Sequence, residues 1–127
     1  MNKYHRNSGS VFAIQYHIVW SPKYRAKILR GAVKYRLNRH IRDKAFELGL
    51  WIKALSIQVD HVHLFVSGNP SYKPSHVARM MKGYTSKKLR DEFPHLTRRK
   101  CLWSPSYYCG STGYMSTPTV ERYVRSQ

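Results

Sequence analysis

Apolar and other residues alternate from Val11 to Trp20, with Phe12, Ile14, Tyr16, Ile18 and Trp20 on one face and Ala13, Gln15, His17 and Val19 on the other. A period of two is that of a half-buried strand, so a first strand with one buried face is expected. Ser21-Pro22-Lys23-Tyr24 ends it, because proline removes a ladder donor and restricts the residue before it. The period then lengthens. Val33, Leu37, Ile41, Ala45 and Leu48 recur every three or four residues, which predicts a helix over Ala32 to Leu48 with Gly49 as a left-handed C-cap. Trp51 to Ile57 reads as a second strand and His61 to Ser67 as a third, joined through Gln58 to Asp60. In the third, Val62, Leu64 and Val66 face one way and His61, His63 and Phe65 the other. If helices cover the valine-leucine-valine side, the histidines lie on the opposite face of the sheet.

Gly68-Asn69-Pro70 turns the chain, and Ser75 is the expected N-cap of a second helix running to Phe93, where Pro94 closes it. Val77, Met80, Met81, Tyr84 and Leu89 give that helix an imperfect apolar stripe, while Lys82, Lys87, Lys88 and Arg90 make its exterior basic. The aromatic segment Leu102 to Cys109 predicts a fourth strand. Gly110 and Gly113 form a junction, and Thr117-Pro118 opens a last helix with a capping residue and proline at its first position. Strand, helix, strand, strand, helix, strand is the order of the split βαβ domain. The expected class is therefore α+β: a ferredoxin-like or RRM-like sandwich with an antiparallel sheet and an additional C-terminal helix. No internal repeat or low-complexity tract interrupts it.

A chain of 127 residues fits one domain, residues 1–127, and an extended cleft would call for a partner subunit. Its 23 Lys and Arg against 6 Asp and Glu give a net charge of +17, distributed over Lys23 to Arg30, Lys34 to Lys44, Lys82 to Arg90, Arg98 to Lys100, and Arg122 with Arg125. Self-repulsion on that scale opposes a compact fold unless polyanions screen it, which favours a phosphate-backbone ligand. An anionic membrane would answer the same charge. However, the helical stretches have the apolar stripes of a folded domain, and no run approaches the ~18 apolar residues of a span. Met1 to Ser10 is polar and carries no secretory signal, so a cytoplasmic, nucleoid-associated protein is expected. Two cysteines, Cys101 and Cys109, read as reduced thiols; with His95 they also leave a zinc site open, although the spacing matches no compact zinc pattern.

His61 and His63 can offer two nitrogens to one divalent ion, and neutral imidazole is the ligand form near pH 7. Ordinary exposed or hydrogen-bonded histidines would give the same pattern. Asp60 has two readings as well, one as the carboxylate that orients a ligand and one as a loop-end acid. Near the C-terminus, Tyr123 and Gln127 stand one helical turn apart on a stripe with Val120 and Val124. A phenol attacks phosphorus when an ion or base stabilises its phenolate, and a glutamine amide oxygen can serve as a third ligand. The plainer reading makes Tyr123 a core residue and Gln127 a solvated helix end. Tyr107, Tyr108 and Tyr114 compete as nucleophiles.

Taken together, these blocks resemble one family: the strand and turn Phe12 to Lys23, Asp60-His61-Val62-His63-Leu64, Lys82-Gly83-Tyr84-Thr85-Ser86, Leu102-Trp103-Ser104-Pro105-Ser106-Tyr107-Tyr108, and the tyrosine-to-glutamine spacing at the end. The sequence is similar to the small single-tyrosine (Y1) transposases of the IS200/IS605 family, in the HUH endonuclease superfamily. That resemblance implies a metal-dependent cut in single-stranded DNA, with Tyr123 as the nucleophile that becomes joined to the 5′ phosphate and leaves a free 3′ hydroxyl. His61, His63 and Gln127 would hold Mg²⁺ or Mn²⁺, with waters or DNA oxygens completing the shell. It further implies subterminal transposon-end hairpins as partners, and a homodimer whose active sites are completed in trans, residues 114–127 being a mobile or partner-exchanged catalytic helix region. Lys23, Arg25, Lys34, Arg36, Arg39, Lys82 and Lys87 are DNA-binding candidates on charge alone. A noncatalytic nucleic-acid module on the same framework, stacking bases on its aromatics, is the main alternative. A metal-storage role would explain the histidines but not the charge.

Overall fold

In a computed structural model, residues 5–7, 10–12, 15–68 and 71–111 are described, with side chains for 15–68 and 71–110. Two short strands, β1 (His5–Asn7) and β2 (Ser10–Phe12), pair antiparallel with each other. The main sheet comprises β3 (Gln15–Trp20), β4 (Trp51–Gln58), β5 (His61–Ser67) and β6 (Tyr108–Ser111) in the order β4-β5-β3-β6, all pairs antiparallel. With helices α1 (Gly31–Glu47) and α2 (Pro74–Glu92) as the crossovers, this is the ferredoxin-like order, and the expected class stands. The expected C-terminal helix, with Tyr123 and Gln127, lies outside the described residues.

Each helix forms where its apolar stripe can meet the sheet. Val33, Leu37, Ile41 and Ala45 of α1 and Val77, Ala78, Met81 and Leu89 of α2 share one core with Tyr16, Ile18 and Trp20 of β3 and Val62, Leu64 and Val66 of β5. Gly49, at φ +72, lets the Leu50 amide reach back to the Ala45 carbonyl at 2.8 Å, the left-handed stop expected after α1. The second helix starts at Pro74 with Lys73 as its cap, not at Ser75, since proline at the first position needs no hydrogen-bond partner and already has a helical φ. Phe93 and Pro94 end it as expected.

Two other expectations are corrected. The alternating run at 11–20 is divided between β2 and β3, and its second face is no open surface: Gln15 is 1% exposed and His17 9%. The fourth strand begins later than Leu102. Leu102 and Trp103 are core anchors, Trp103 makes a single bridge to Pro22, and Pro105 precedes the run that pairs with β3 from Tyr108. Trp103 packs edge-on against Trp20, its centroid 6.0 Å away, and its Nε1 donates to Thr85 Oγ1 at 3.1 Å.

After β3 the chain makes a short 3-10 turn, Lys23–Arg25, in which Tyr24 (φ 61) and Arg25 (φ 51) both occupy the left-handed region. For residues with a Cβ this costs roughly 1–2 kcal/mol each. The flanks hold it there. Lys23 N donates to Leu102 O at 3.0 Å, Ser104 N to Ser21 O at 2.8 Å, and Leu29 N to Val59 O at 3.0 Å.

Candidate active site

Side chains that face away from the helices line up in rows across the sheet. One row runs Ser56, His63, Val19, Tyr108, and the next Ala54, Phe65, His17, Gly110. His61 begins the shorter row beside Gln58, next to the turn that carries Asp60. The strand period thus puts both predicted histidines on one face, and the strand order adds a third, His17. The His61 and His63 rings are 4.9 Å apart between centroids at 78°, and His17 stacks on His63 at 5.9 Å. The sequence pattern had placed His17 on the helix-free face of its strand. Only the pairing of β3 with β5 brings it to the pair.

Asp60 orients the first imidazole, its Oδ1 lying 2.7 Å from His61 Nδ1. Arg25 Nη2 lies 3.2 Å from the same nitrogen and 3.3 Å from Asp60 Oδ2. Because an ionised carboxylate only accepts, the shorter contact to Asp60 requires the proton on Nδ1, which leaves Nε2 as the lone-pair nitrogen and Arg25 beside Nδ1 without a hydrogen bond to it. The hydrogen bond from His61, with Arg25 beside it, holds the Asp60 carboxyl below the usual carboxylate range. Burial, together with the charges of His61 and His17, pushes His63 down to about 4, and burial also lowers His17. His63 is therefore neutral at physiological pH, as a ligand must be.

His61 and His63 open onto a cleft of about 500 Å³ whose walls include Arg25, Ser21, Ser106, Tyr107 and Tyr108. Tyr108, 60% exposed, meets His17 edge-on at 5.8 Å. Lys82 supports that wall from behind. Its ammonium donates to Ser104 O at 2.6 Å and lies 4.9 Å from the Tyr107 ring, and burial lowers its pKa. Arg90 similarly turns to Arg99 O at 2.8 Å, so two of the four cations expected to make the exterior of α2 basic are engaged with neighbouring backbone.

The seven charge-based DNA candidates separate into groups, with Lys82 alone behind the cleft wall. Arg25 enters the histidine cleft and Lys23 stands in the same turn. Lys34, Arg36 and Arg39 ride on α1 and Lys87 on α2, in the layer on the other side of the sheet. There Arg36 pairs with Glu92 at 2.9 Å, Arg39 with Asp43 at 3.4 Å and Lys87 with Asp91 at 3.5 Å. Among the described residues no three His, Cys, Asp or Glu side chains converge as a complete metal site, and the zinc combination with Cys101 and Cys109 is not assembled there. No helix among them is long and apolar enough to cross a membrane.

Comparison with known proteins gives consistent matches. The family described as "Transposase IS200 like" matches residues 10–127. The ISDra2 transposase TnpA of Deinococcus radiodurans is 29% identical over 125 residues, covering 96% of this chain and 89% of that protein. A transposase for insertion sequence element IS200 from Salmonella typhimurium is 26% identical over 116 residues, covering 89% of this chain and 76% of its own length. Among solved structures, a crystal structure at 1.90 Å of a Deinococcus radiodurans R1 protein described as a transposase superposes with a TM-score of 0.78 at 28% identity, covering 97% of each chain. A REP-associated tyrosine transposase bound to a REP hairpin superposes with a TM-score of 0.61 at 17% identity, over 98% of this chain and 68% of that one, a likeness of fold.

Proposed function

The chain belongs to the IS200-like, single-tyrosine transposases of the HUH superfamily, and we propose that it cuts and rejoins single-stranded transposon ends through a 5′-phosphotyrosine. The observation that carries this reading is the pair His61 and His63, aimed from adjacent rows into one cleft, with the Asp60 carboxylate 2.7 Å from Nδ1 of the first. Two imidazoles so arranged suit a divalent ion, and a ligand from elsewhere has to complete the set. Gln127 is the residue proposed for that place, in reach of the ion when Tyr123 is. Mg²⁺ or Mn²⁺ bound there supplies Lewis-acid stabilisation of the charge that builds on the phosphate oxygens.

In the proposed reaction the Tyr123 oxygen, having lost its proton to water, forms a bond to the scissile phosphorus while the bond from phosphorus to O3′ breaks. The departing O3′ takes up a proton and remains as a 3′ hydroxyl. The phosphotyrosine conserves the energy of the broken diester, so a 3′ hydroxyl of another end can reverse the step with no nucleotide cofactor. Asp60 keeps His61 in its ligand tautomer throughout, and Arg25 adds positive charge at the cleft wall. Hairpin DNA is proposed as the partner because a structural relative holds one. A homodimer completed in trans is proposed because 114–127, following Gly110 and Gly113, would serve as an exchanged arm.

One rival is favoured by a specific observation: Tyr108 stands exposed in the same cleft. Incubation with labelled single-stranded transposon-end DNA and Mg²⁺ or Mn²⁺, then denaturation, separates the two. An SDS-resistant adduct is expected for wild type and for Tyr108→Phe, and none for Tyr123→Phe. An adduct that persists in Tyr123→Phe and vanishes in Tyr108→Phe reassigns the nucleophile; no adduct in wild type rejects the reaction.

A further inference from the structure

The turn after β3 places two consecutive residues in left-handed conformations that their side chains disfavour, and neither is glycine or asparagine. Hydrogen bonds on either flank hold the turn in place, so the strain has a cause; its product is what calls for explanation. That product is a pair of side chains in unlike settings. Arg25 is directed into the cleft, where its contacts to Asp60 and His61 both run through Nη2. Its Nε and Nη1 N–H groups are further donors of the kind that phosphate oxygens accept. Tyr24, one residue earlier, is 88% exposed, with the Lys23 ammonium 5.5 Å from its ring. An aromatic ring held in water by a strained backbone, beside a cation and next to an arginine at a reactive cleft, has the composition of a platform for one nucleotide.

We propose that the Lys23–Arg25 turn grips the scissile strand, Arg25 taking the phosphate that enters the cleft and Tyr24 stacking the base beside it. The proposal rests on the single-stranded-DNA reading above and assigns the elements that hold the strand next to His61. A ring in this position reads any base by its face, so it selects for an unpaired strand without selecting a sequence.

The test uses the full chain. Tyr24→Asn keeps a residue that tolerates the left-handed region but removes the ring, and Tyr24→Phe keeps the ring. With a labelled short oligodeoxythymidine, Tyr24→Asn is expected to weaken binding about 5- to 100-fold. Tyr24→Phe should bind like wild type, duplex affinity should not change, and the melting temperature of Tyr24→Asn should not fall. Arg25→Gln is expected to reduce the salt dependence of oligonucleotide binding by about 0.7 in the log-log slope. It should also slow adduct formation on transposon-end DNA about 100-fold at saturation. Wild-type affinity in Tyr24→Asn, or equal losses on single strand and duplex, overturns the stacking role; an unchanged salt slope in Arg25→Gln overturns the phosphate role. If wild type forms no adduct the cleavage reading fails separately, because the binding measurements need no chemistry.

Discussion

The two sides of the four-stranded sheet are made by the same alternation and do different work. On one, Val62, Leu64 and Val66 meet α1 and α2 in a continuous apolar core. On the other, one residue out of phase, His61, His63 and His17 gather with Asp60 and Arg25 at a cleft. Charge divides along the same line. The helical layer carries many of the cations, and several are neutralised locally: Arg36 pairs with Glu92, which His40 also contacts, Arg39 with Asp43 and Lys87 with Asp91. Asp60 likewise serves an imidazole and a guanidinium, but there both partners, His61 and Arg25, line an open cleft. The helical side thus supplies cohesion, while the histidine side has polar groups placed to act on something that arrives.

Substitutions at neighbouring positions of β5 can break this division most sharply. His61→Ala is expected to lower DNA cleavage by about 10³-fold or more while changing stability by less than about 1 kcal/mol and leaving hairpin binding largely intact. Leu64→Ala, facing the helices, should instead cost about 2–5 kcal/mol of stability, seen as a lower urea midpoint. If His61→Ala lost hairpin binding in step with cleavage, the histidine face would be a docking surface and the contrast would fail. A smaller effect is expected one atom further out. Asp60→Asn should weaken Mn²⁺ affinity, measured by titration calorimetry, about 10- to 100-fold, because the carboxylate no longer fixes the His61 tautomer.

The smallest predicted effect belongs to the helical side. Hydrogen bonds from Arg36 and then His40 bring Glu92 down to about 2, below the 4.5 of an unconstrained glutamate. A depressed carboxylate pKa stabilises the fold fully above the unfolded value, and that contribution is lost as pH falls from about 4.5 through about 2. Solvent screening at this partly exposed cluster limits it to about 0.2–1 kcal/mol. Glu92→Gln should accordingly flatten the acid limb of a melting-temperature profile between those values and leave Mn²⁺ affinity unchanged.

Period and punctuation made most of the scaffold legible. The bounds of β5, the stop of α1 at Gly49 and the end of α2 before Pro94 follow from local sequence, because each depends on near neighbours in the chain. The paired histidines were legible for the same reason. His17 was not, since its meeting with His63 requires knowing that β3 lies beside β5. Local reasoning also misplaced the last strand: Leu102 and Trp103 look like strand residues, yet they fill the space beneath the Pro22 turn. The left-handed pair at Tyr24 and Arg25 carries no compositional signature at all, because tyrosine and arginine are not residues that announce that conformation. The positions of Tyr123, Gln127 and Tyr114 lie outside the described residues, so for them the sequence and the family match remain the argument.

β5 has a neighbour on each side, with β4 and β3 closing its ladder. Backbone amides in such an interior strand exchange with deuterium chiefly when the whole domain opens, whereas outer strands fray in smaller events. The imidazoles that would receive the ion are therefore mounted on the last part of the sheet to loosen. As temperature rises, the histidine half of the site should persist until the cooperative transition itself, so that its loss and global melting are one event.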